Sequence, residues 1–451
     1  MIDVVKKVAE IVKSSGGRAL AVGGCVRDGL LGYGVINDFD IECFSISPER
    51  LEVDLSKAFE LDLVGKSFGV IKLRHYDIDI AIPRKETKLG LGHRAFELEY
   101  DPQLSIREAA SRRDFTVNAI YSDPLTGEII DPWGGREDLE KGVLRHVSNH
   151  FSEDPLRVLR GMQFVSRFNL IADRETLGLC RAMTPENLPR ERLMGEWKKL
   201  LIKGKSISRG LTFLRETGWV KYYPELESLI GCKQDKRWHP EGDVWNHTLC
   251  SLDAFAVERD EHDYGDDENL IVALAVLCHD FGKPLTTRCE SYDGRIRSLG
   301  HDEAGVAPTI SFLKRLTNEE RILKEVPPLV KAHMRPFSLW KNKSSDSAIR
   351  RLSSDVGRID RLLRVASADE GGRPPFPRQI EHLEWLKSQS LRLAVADAVP
   401  KPILMGRDLM DIGMKPSKEF GIILKNAYEA QLDGEFFDKA GAMQFVRRKF
   451  R

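Results

Sequence analysis

The stretch Gly23-Gly24-Cys25-Val26-Arg27-Asp28-Gly29-Leu30-Leu31-Gly32, running on to Asn37-Asp38-Phe39-Asp40, decides how this chain folds. Ahead of it, Ala19-Leu20-Ala21-Val22 is a short apolar run that reads as a buried strand. Gly23 and Gly24 let the backbone turn sharply and approach a ligand closely, and Val26 to Leu31 has the apolar spacing of a short helix. A strand, a Gly-Gly turn and a helix start together present free N–H groups to an anion, for which a phosphate is the natural guest. Asp38 and Asp40 then fall on the next strand. Strand side chains alternate, so both carboxylates share one face and Phe39 takes the other. Paired carboxylates repel unless a cation lies between them. Mg²⁺, which prefers carboxylate and phosphate oxygens, is the expected one.

In this order and spacing the elements resemble the signature of nucleotidyltransferases with a polymerase-β-like head, and among them the bacterial CCA-adding enzymes and poly(A) polymerases. The resemblance implies an α+β chain: a nucleotidyltransferase head over 1–150, a helical neck over 151–235 for base selection and RNA binding, an HD domain over 236–375 and a helical tail over 376–451. It implies Gly23, Gly24 and Arg27 as nucleotide-binding residues, the last two steadying phosphates.

Length and composition agree with several domains. The chain has 451 residues, 41% hydrophobic and 31% charged, as in globular proteins. The first twenty residues read as an amphipathic helix and not a signal peptide, and no run reaches membrane-spanning length. Seven cysteines without a CxxC spacing point to a reducing cytoplasm. With 69 basic and 69 acidic residues the net charge is zero, so any RNA-binding surface is local.

Downstream, 61–70 and 71–82 read as hairpin-like strands. Strict alternation in Tyr76-Asp77-Ile78-Asp79-Ile80 puts Asp77 and Asp79 on one face. Either is a candidate third carboxylate, completing a metal site and accepting the attacking hydroxyl's proton; the family places its acidic residue where Asp79 stands. Residues 84–105, with Arg84, Lys85, Glu86, His93 and Arg94, read as a polar connection. Arg113 and Asp114 match the family's R-D-F-T-x-N-A block, whose arginine binds the incoming nucleotide.

In Glu153-Asp154-Pro155-Leu156-Arg157, Asp154 is placed to cap a helix that Pro155 begins. Asp154 and Arg157 are three apart and share a helix face. A carboxylate accepts from an exocyclic amine, and a guanidinium donates to a ring nitrogen or carbonyl. Cytosine and adenine satisfy both; uracil and guanine leave buried groups unpaired. These residues match the family's E-D-x-x-R motif, and Arg160 matches a further nucleotide-binding arginine. Gln163 departs from the arginine many relatives carry. Lys198, Lys199, Lys203, Lys205 and Arg209 form a basic run, read equally as a solvated face or as tRNA backbone contact.

A second constellation is spread over His247, His279-Asp280, His301, His333 and Asp369. Imidazole and carboxylate in this combination suit a divalent first-row metal that activates water against a phosphate ester. The series resembles the HD phosphohydrolase domain, with His247, His279, Asp280 and Asp369 matching its core metal ligands and His301 and His333 its accessory histidines. The tail, from Gly406-Arg407-Asp408-Leu409 to Gln431-Leu432-Asp433-Gly434-Glu435, is also similar to HD-bearing CCA-adding enzymes.

The expected function is therefore CCA addition to tRNA from CTP and ATP, in the cytoplasm and away from membranes, with Mg²⁺ on Asp38 and Asp40. A transition metal in the HD domain would hydrolyse 2′,3′-cyclic phosphates or phosphate monoesters. The rivals are a poly(A) polymerase, a CC- or A-adding enzyme, and a regulatory nucleotide-binding protein in which only the HD domain works. Val64-Gly65-Lys66-Ser67-Phe68-Gly69-Val70 leans toward the CCA side by resemblance.

Overall fold

The computed structural model describes the chain except residues 35–36, 63–69, 89–95, 292 and 451, and gives backbone alone over 85–88 and 96–99. It divides into two compact units: Met1–Leu200 with Arg209–Trp219, and Leu201–Ser208 with Val220–Arg451.

The first unit begins with helix α1 (Ile2–Ser14), which buries Val5, Val8, Ala9 and Val12 at helical spacing. Strand β1 (Arg18–Val22) follows, then the Gly-Gly turn and α2 (Gly24–Leu30). Next come β2 (Phe39–Phe44), α3 (Pro48–Ser56), β3 (Leu61–Asp62), β4 (Val70–Leu73), β5 (Ile78–Ala81), and the separate hairpin of β6 (Arg84–Lys88) and β7 (Phe96–Tyr100). Helix α4 (Ile106–Ala110) is closed by a Ser105/Glu108 capping box. β8 (Tyr121–Ser122) and β9 (Ile129–Ile130) complete a mixed sheet of order β3-β4-β5-β2-β1-β8-β9.

Alternation along β1 builds two cores. Ala19 and Ala21 pack with α1, Ile41 and Cys43; Leu20 and Val22 pack with Ala109, Ala110 and Tyr121. The expected strand over 71–82 is two strands: β4 and β5 form the antiparallel hairpin, with Arg74–Asp77 as its turn. Asp77 therefore lies at a hairpin end, where alternation alone had put it inside a strand. β3 pairs with β4 through Leu61 and Leu73. The 64–69 stretch, His93 and Arg94 lie outside the described residues. Short helix α5 (Gly135–Glu140) and β10 (Val143–Leu144) lead to α6 (Leu156–Phe168).

The second unit is built chiefly of helices. Residues Asn269–Cys278 of the helix Asp266–Cys278 are buried on every side, as the apolar run Ile271–Leu277 requires. The helices Val244–Glu261, Glu320–Ala332 and Ile359–Gly371 surround it. Among them Gly282 has no substitute: a Cβ there would lie 1.9 Å from the carbonyl oxygen of His301. The closing helices Glu419–Asp433 and Lys439–Lys449 carry a small core of their own around Leu409, Ile423 and Phe445. Among the described residues no helix is long and apolar enough to cross a membrane.

Candidate active sites

In the first unit, Phe39 and Ile41 of β2 turn into the core and leave Asp40 on the open face. β2 and β5 run parallel with Asp40 abreast of Asp79, and such in-register side chains share a face. Asp38 immediately precedes β2, and Asp77, one step before β5, is exposed, its carbonyl accepting the Phe39 N–H at 3.0 Å. Register therefore sets Asp79, and not Asp77, beside Asp40. Crowding by the surrounding protein raises the Asp40 pKa, and the Asp38 and Asp79 charges add to it, against the pull of Arg113. Lys72, opposite Asp79 on β4, holds its Oδ1 at 2.8 Å.

Gly23 is fixed twice over. Its φ is +81°, and a Cβ there would stand 3.1 Å from Arg113 Nη1 and 3.4 Å from Asp40 Oδ2. The turn, the arginine and the carboxylates therefore share one small space, with Gly24 opening α2 beside it.

Arg27, expected on a phosphate, sets its Nη2 beside Gly24, and the rest of its side chain is engaged inside the fold. It is 4% exposed, pairs with Asp28, donates to Asn118 Oδ1 and lies 4.2 Å from the Phe168 ring centroid. Here it clamps α2 to the turn Thr116–Asn118 and to α6. Asp114 is also internal: it accepts from the Phe115 N–H at 2.8 Å, Asn118 Nδ2 at 3.0 Å and Arg160 Nε at 2.6 Å. Burial alone would raise its pKa, but Arg160 and these donors hold it at about 2. Both residues shape the site through Asn118 and Arg160.

Asp154 caps α6 as expected, accepting the Leu156 N–H at 3.0 Å, although the helix begins at Leu156, one residue later than Pro155. Its Oδ2 lies 2.7 Å from Arg192 Nη2, a partner on the helix Arg190–Lys203 that sequence spacing gave no reason to select. Arg157 donates to the carbonyls of His150 at 2.6 Å and Arg112 at 2.5 Å, which fixes the plane of its guanidinium. Glu153 is occupied by Arg112 and His150. Gln163, buried, accepts from Arg167 at 3.1 Å. In the basic run, Lys199 pairs with Glu196 and Arg209 donates to the Asn169 carbonyl.

In the second unit, the dispersed histidines and aspartates converge. His247 Nε2 is 3.0 Å from Asp369 Oδ1 and 3.8 Å from Asp280 Oδ2; His279 Nε2 is 3.3 Å from Asp280 Oδ2; His301 Nε2 is 3.5 Å from Asp280 Oδ1 and 3.1 Å from His333 Nε2. Two triads, His247–His279–Asp280 and Asp280–His301–His333, each hold their donor atoms within 4.8 Å of one another. Asp369, far from His333 in sequence, is thus brought into the cluster.

These residues fit a metal. The Nδ1 atoms of His279, His301 and His333 lie 2.7, 2.7 and 2.6 Å from the carbonyl three residues back. That contact puts the proton on Nδ1 and turns the Nε2 lone pair inward. His279 Nε2 and Asp280 Oδ1 are buried without a hydrogen-bond partner, and Asp280 Oδ2 is met by the Lys283 ammonium at 2.8 Å; the unmatched inward atoms are in a costly state that a cation relieves. Burial would raise the Asp280 pKa, yet the adjoining His279 ring and the Lys283 ammonium keep it well below the carboxylate range.

Sequence reasoning did not single out Glu241. Its Oε1 lies 2.8 Å from the Nδ1 of both His239 and His247, orienting the two rings as a carboxylate behind a ligand does. Lys283, 2.8 Å from Asp280, and Arg373, 3.0 Å from Asp369, add positive charge to a cleft of about 520 Å³ above the cluster.

Residues 19–145 match the family of poly A polymerase head domains. The multifunctional CCA protein of Nitrosococcus oceani is 33% identical over 408 residues, covering 87% of this chain and 93% of that protein. That of Chromobacterium violaceum is 34% identical over 372 residues, covering 79% and 85%. Among solved structures, the Bacillus stearothermophilus CCA-adding enzyme in complex with CTP superposes with a TM-score of 0.66 at 23% identity, over 98% of this chain and 97% of that one. A Thermotoga maritima CCA-adding enzyme complexed with tRNA gives 0.58 at 19% identity, over 100% and 95%. At this identity and coverage, the chain belongs to the bacterial CCA-adding enzymes of the multifunctional CCA protein family.

Proposed function

We propose that the first unit adds C, C and A to the 3′ end of tRNA from CTP and ATP, and that the second hydrolyses phosphate esters such as 2′,3′-cyclic phosphates. The family supports the first activity, and the in-register Asp40 and Asp79 beside the Gly23 turn are the observation that carries it.

Asp38 and Asp40 would hold Mg²⁺, which supplies neutralisation of the triphosphate. Gly24, at the start of α2, keeps the backbone close to the phosphates, and Arg113 lies along the nucleotide. The tRNA 3′-hydroxyl attacks the α-phosphorus, the bond to the β-phosphate oxygen breaks and pyrophosphate leaves. Asp79 takes the hydroxyl proton at a carboxylate oxygen. Catalysis here is mostly positioning and charge placement. Asp154 accepts from the exocyclic amine of C or A, and Arg157 donates to the neighbouring ring acceptor; uracil and guanine would leave both unpaired. Arg160 orients this face through Asp114.

In the second unit His247, His279, Asp280 and Asp369, with His301 and His333, would hold a divalent transition metal, which supplies Lewis acidity. Lys283 and Arg373 draw the phosphate in. Water adds to phosphorus, the P–O2′ or P–O3′ bond breaks, and the freed oxygen takes the proton. The buried, unmatched Nε2 of His279 and Oδ1 of Asp280 carry this reading.

A tRNA ending at its discriminator base, offered CTP and ATP separately and together, tests the first activity. Three defined additions support it; a long A tract makes the chain a poly(A) polymerase, and addition of C alone or A alone a partial enzyme. No pyrophosphate release at all would leave a nucleotide-binding protein with a working HD domain. Seven free cysteines accord with the reducing cytoplasm in which this work would take place.

A further inference from the structure

The cleft above the His–Asp cluster shares a wall residue, Lys341, with a second hollow. The cleft wall also carries Phe337, 38% exposed, and the second hollow, a depression of about 650 Å³, is lined by Lys341 together with Trp340, Lys343 and Trp385. Phe337 and Trp340 lie 6.0 Å apart by ring centroid, and both neighbour His382, at 5.7 and 6.4 Å. Trp340 is 39% exposed. Single exposed aromatics are common, but a connected row beside lysines is not the usual surface.

The helix Arg335–Lys341 and the helix Glu381–Arg392 supply this row. No carboxylate lines the second depression, and among the described residues neither Lys341 nor Lys343 has an ion-pair partner. Each hollow alone is in the range of a small-molecule pocket, about 300–1,000 Å³, so the pair extends past what one nucleotide fills. Aromatic faces interleaved with cations are how proteins hold single-stranded nucleic acid without reading its sequence.

We infer that the second unit takes the 3′ end of single-stranded RNA in preference to a free mononucleotide. Successive bases stack along Phe337, Trp340 and Trp385, Lys341 and Lys343 follow the backbone, and the terminal phosphate reaches the metal cluster. The inference rests on the hydrolase reading above and adds its substrate class.

The test compares full-length, metal-loaded protein on a hexaribonucleotide ending in a 2′,3′-cyclic phosphate and on 2′,3′-cyclic AMP. In parent protein the hexamer is favoured in kcat/KM by about tenfold or more. Trp340→Ala and Lys343→Glu remove most of that preference through KM while 2′,3′-cyclic AMP is turned over as before, and Trp340→Phe restores it. Equal kcat/KM for the two substrates in the parent, or variants that slow both equally, would overturn the inference. Binding of a fluorescent hexamer ending in a 3′-phosphate is read in parallel. Weaker binding by the two variants upholds the track even if neither substrate is hydrolysed, in which case the hydrolase reading alone fails; unchanged binding overturns the track.

Discussion

Asp40 and Asp280 are both acids in clusters of ionisable groups, yet the protein treats them in opposite ways. Asp40 stands on the open face of a sheet, abreast of Asp79, with its pKa raised. Asp280 is 1% exposed inside a ring of imidazoles and a lysine that holds its pKa far down. On the proposed reading the first arrangement is a half-site, completed by a cation that arrives with the triphosphate. The second is a preformed cluster in which the inward Nε2 of His279 and Oδ1 of Asp280 are left without a hydrogen-bond partner. By that reading, one chain would carry a metal site assembled by its substrate and another assembled by folding.

That contrast breaks at definite places. Asp40→Ala should lower incorporation of CTP into tRNA by on the order of 10³-fold, leaving the melting temperature and the cyclic-phosphate hydrolysis of the second unit intact; retained incorporation by the folded variant would remove Asp40 from the metal site. His279→Ala should cut hydrolysis of 2′,3′-cyclic AMP by about 10²-fold or more while CCA addition continues. Behind the cage, Glu241→Gln should weaken metal affinity by about 10–100-fold, measured by chelator competition, because His247 and His239 lose the carboxylate that orients them. Smallest is Arg192→Ala: freeing Asp154 Oδ2 should relax base choice, raising UTP misincorporation a few-fold, about 0.5–1 kcal/mol of discrimination for a half-exposed ion pair. A change in overall rate without a change in selectivity would make Arg192 only a strut.

The difference between the regions also governs what the sequence made legible. The strand, the Gly-Gly turn, the short helix and the D-x-D pair are local, and local periodicity located all of them within a residue or two. Asp154 as a cap was equally local. The partners that complete the first site come from afar: Lys72 through β4–β5 register, Asn118 through the Arg27 clamp, Arg192 from a separate helix. None of these is encoded in spacing. Arg27 shows the same limit: spacing put it beside the glycines, where its Nη2 does lie next to Gly24, but gave no sign of its contacts with Phe164 and Phe168. In the second unit, the unusual residue types marked out the cluster despite their dispersal, but Glu241 was hidden because a glutamate beside a proline and a glycine looks like a loop.

Metal content decides the central claim most directly. Protein purified without added metal and exchanged through buffer should retain about one divalent transition-metal ion per chain, His279→Ala should retain none, and Asp40→Ala should match the parent. A parent that holds no metal, or a His279→Ala variant that holds as much as the parent, would contradict the account of a cage set by folding and a half-site filled by substrate.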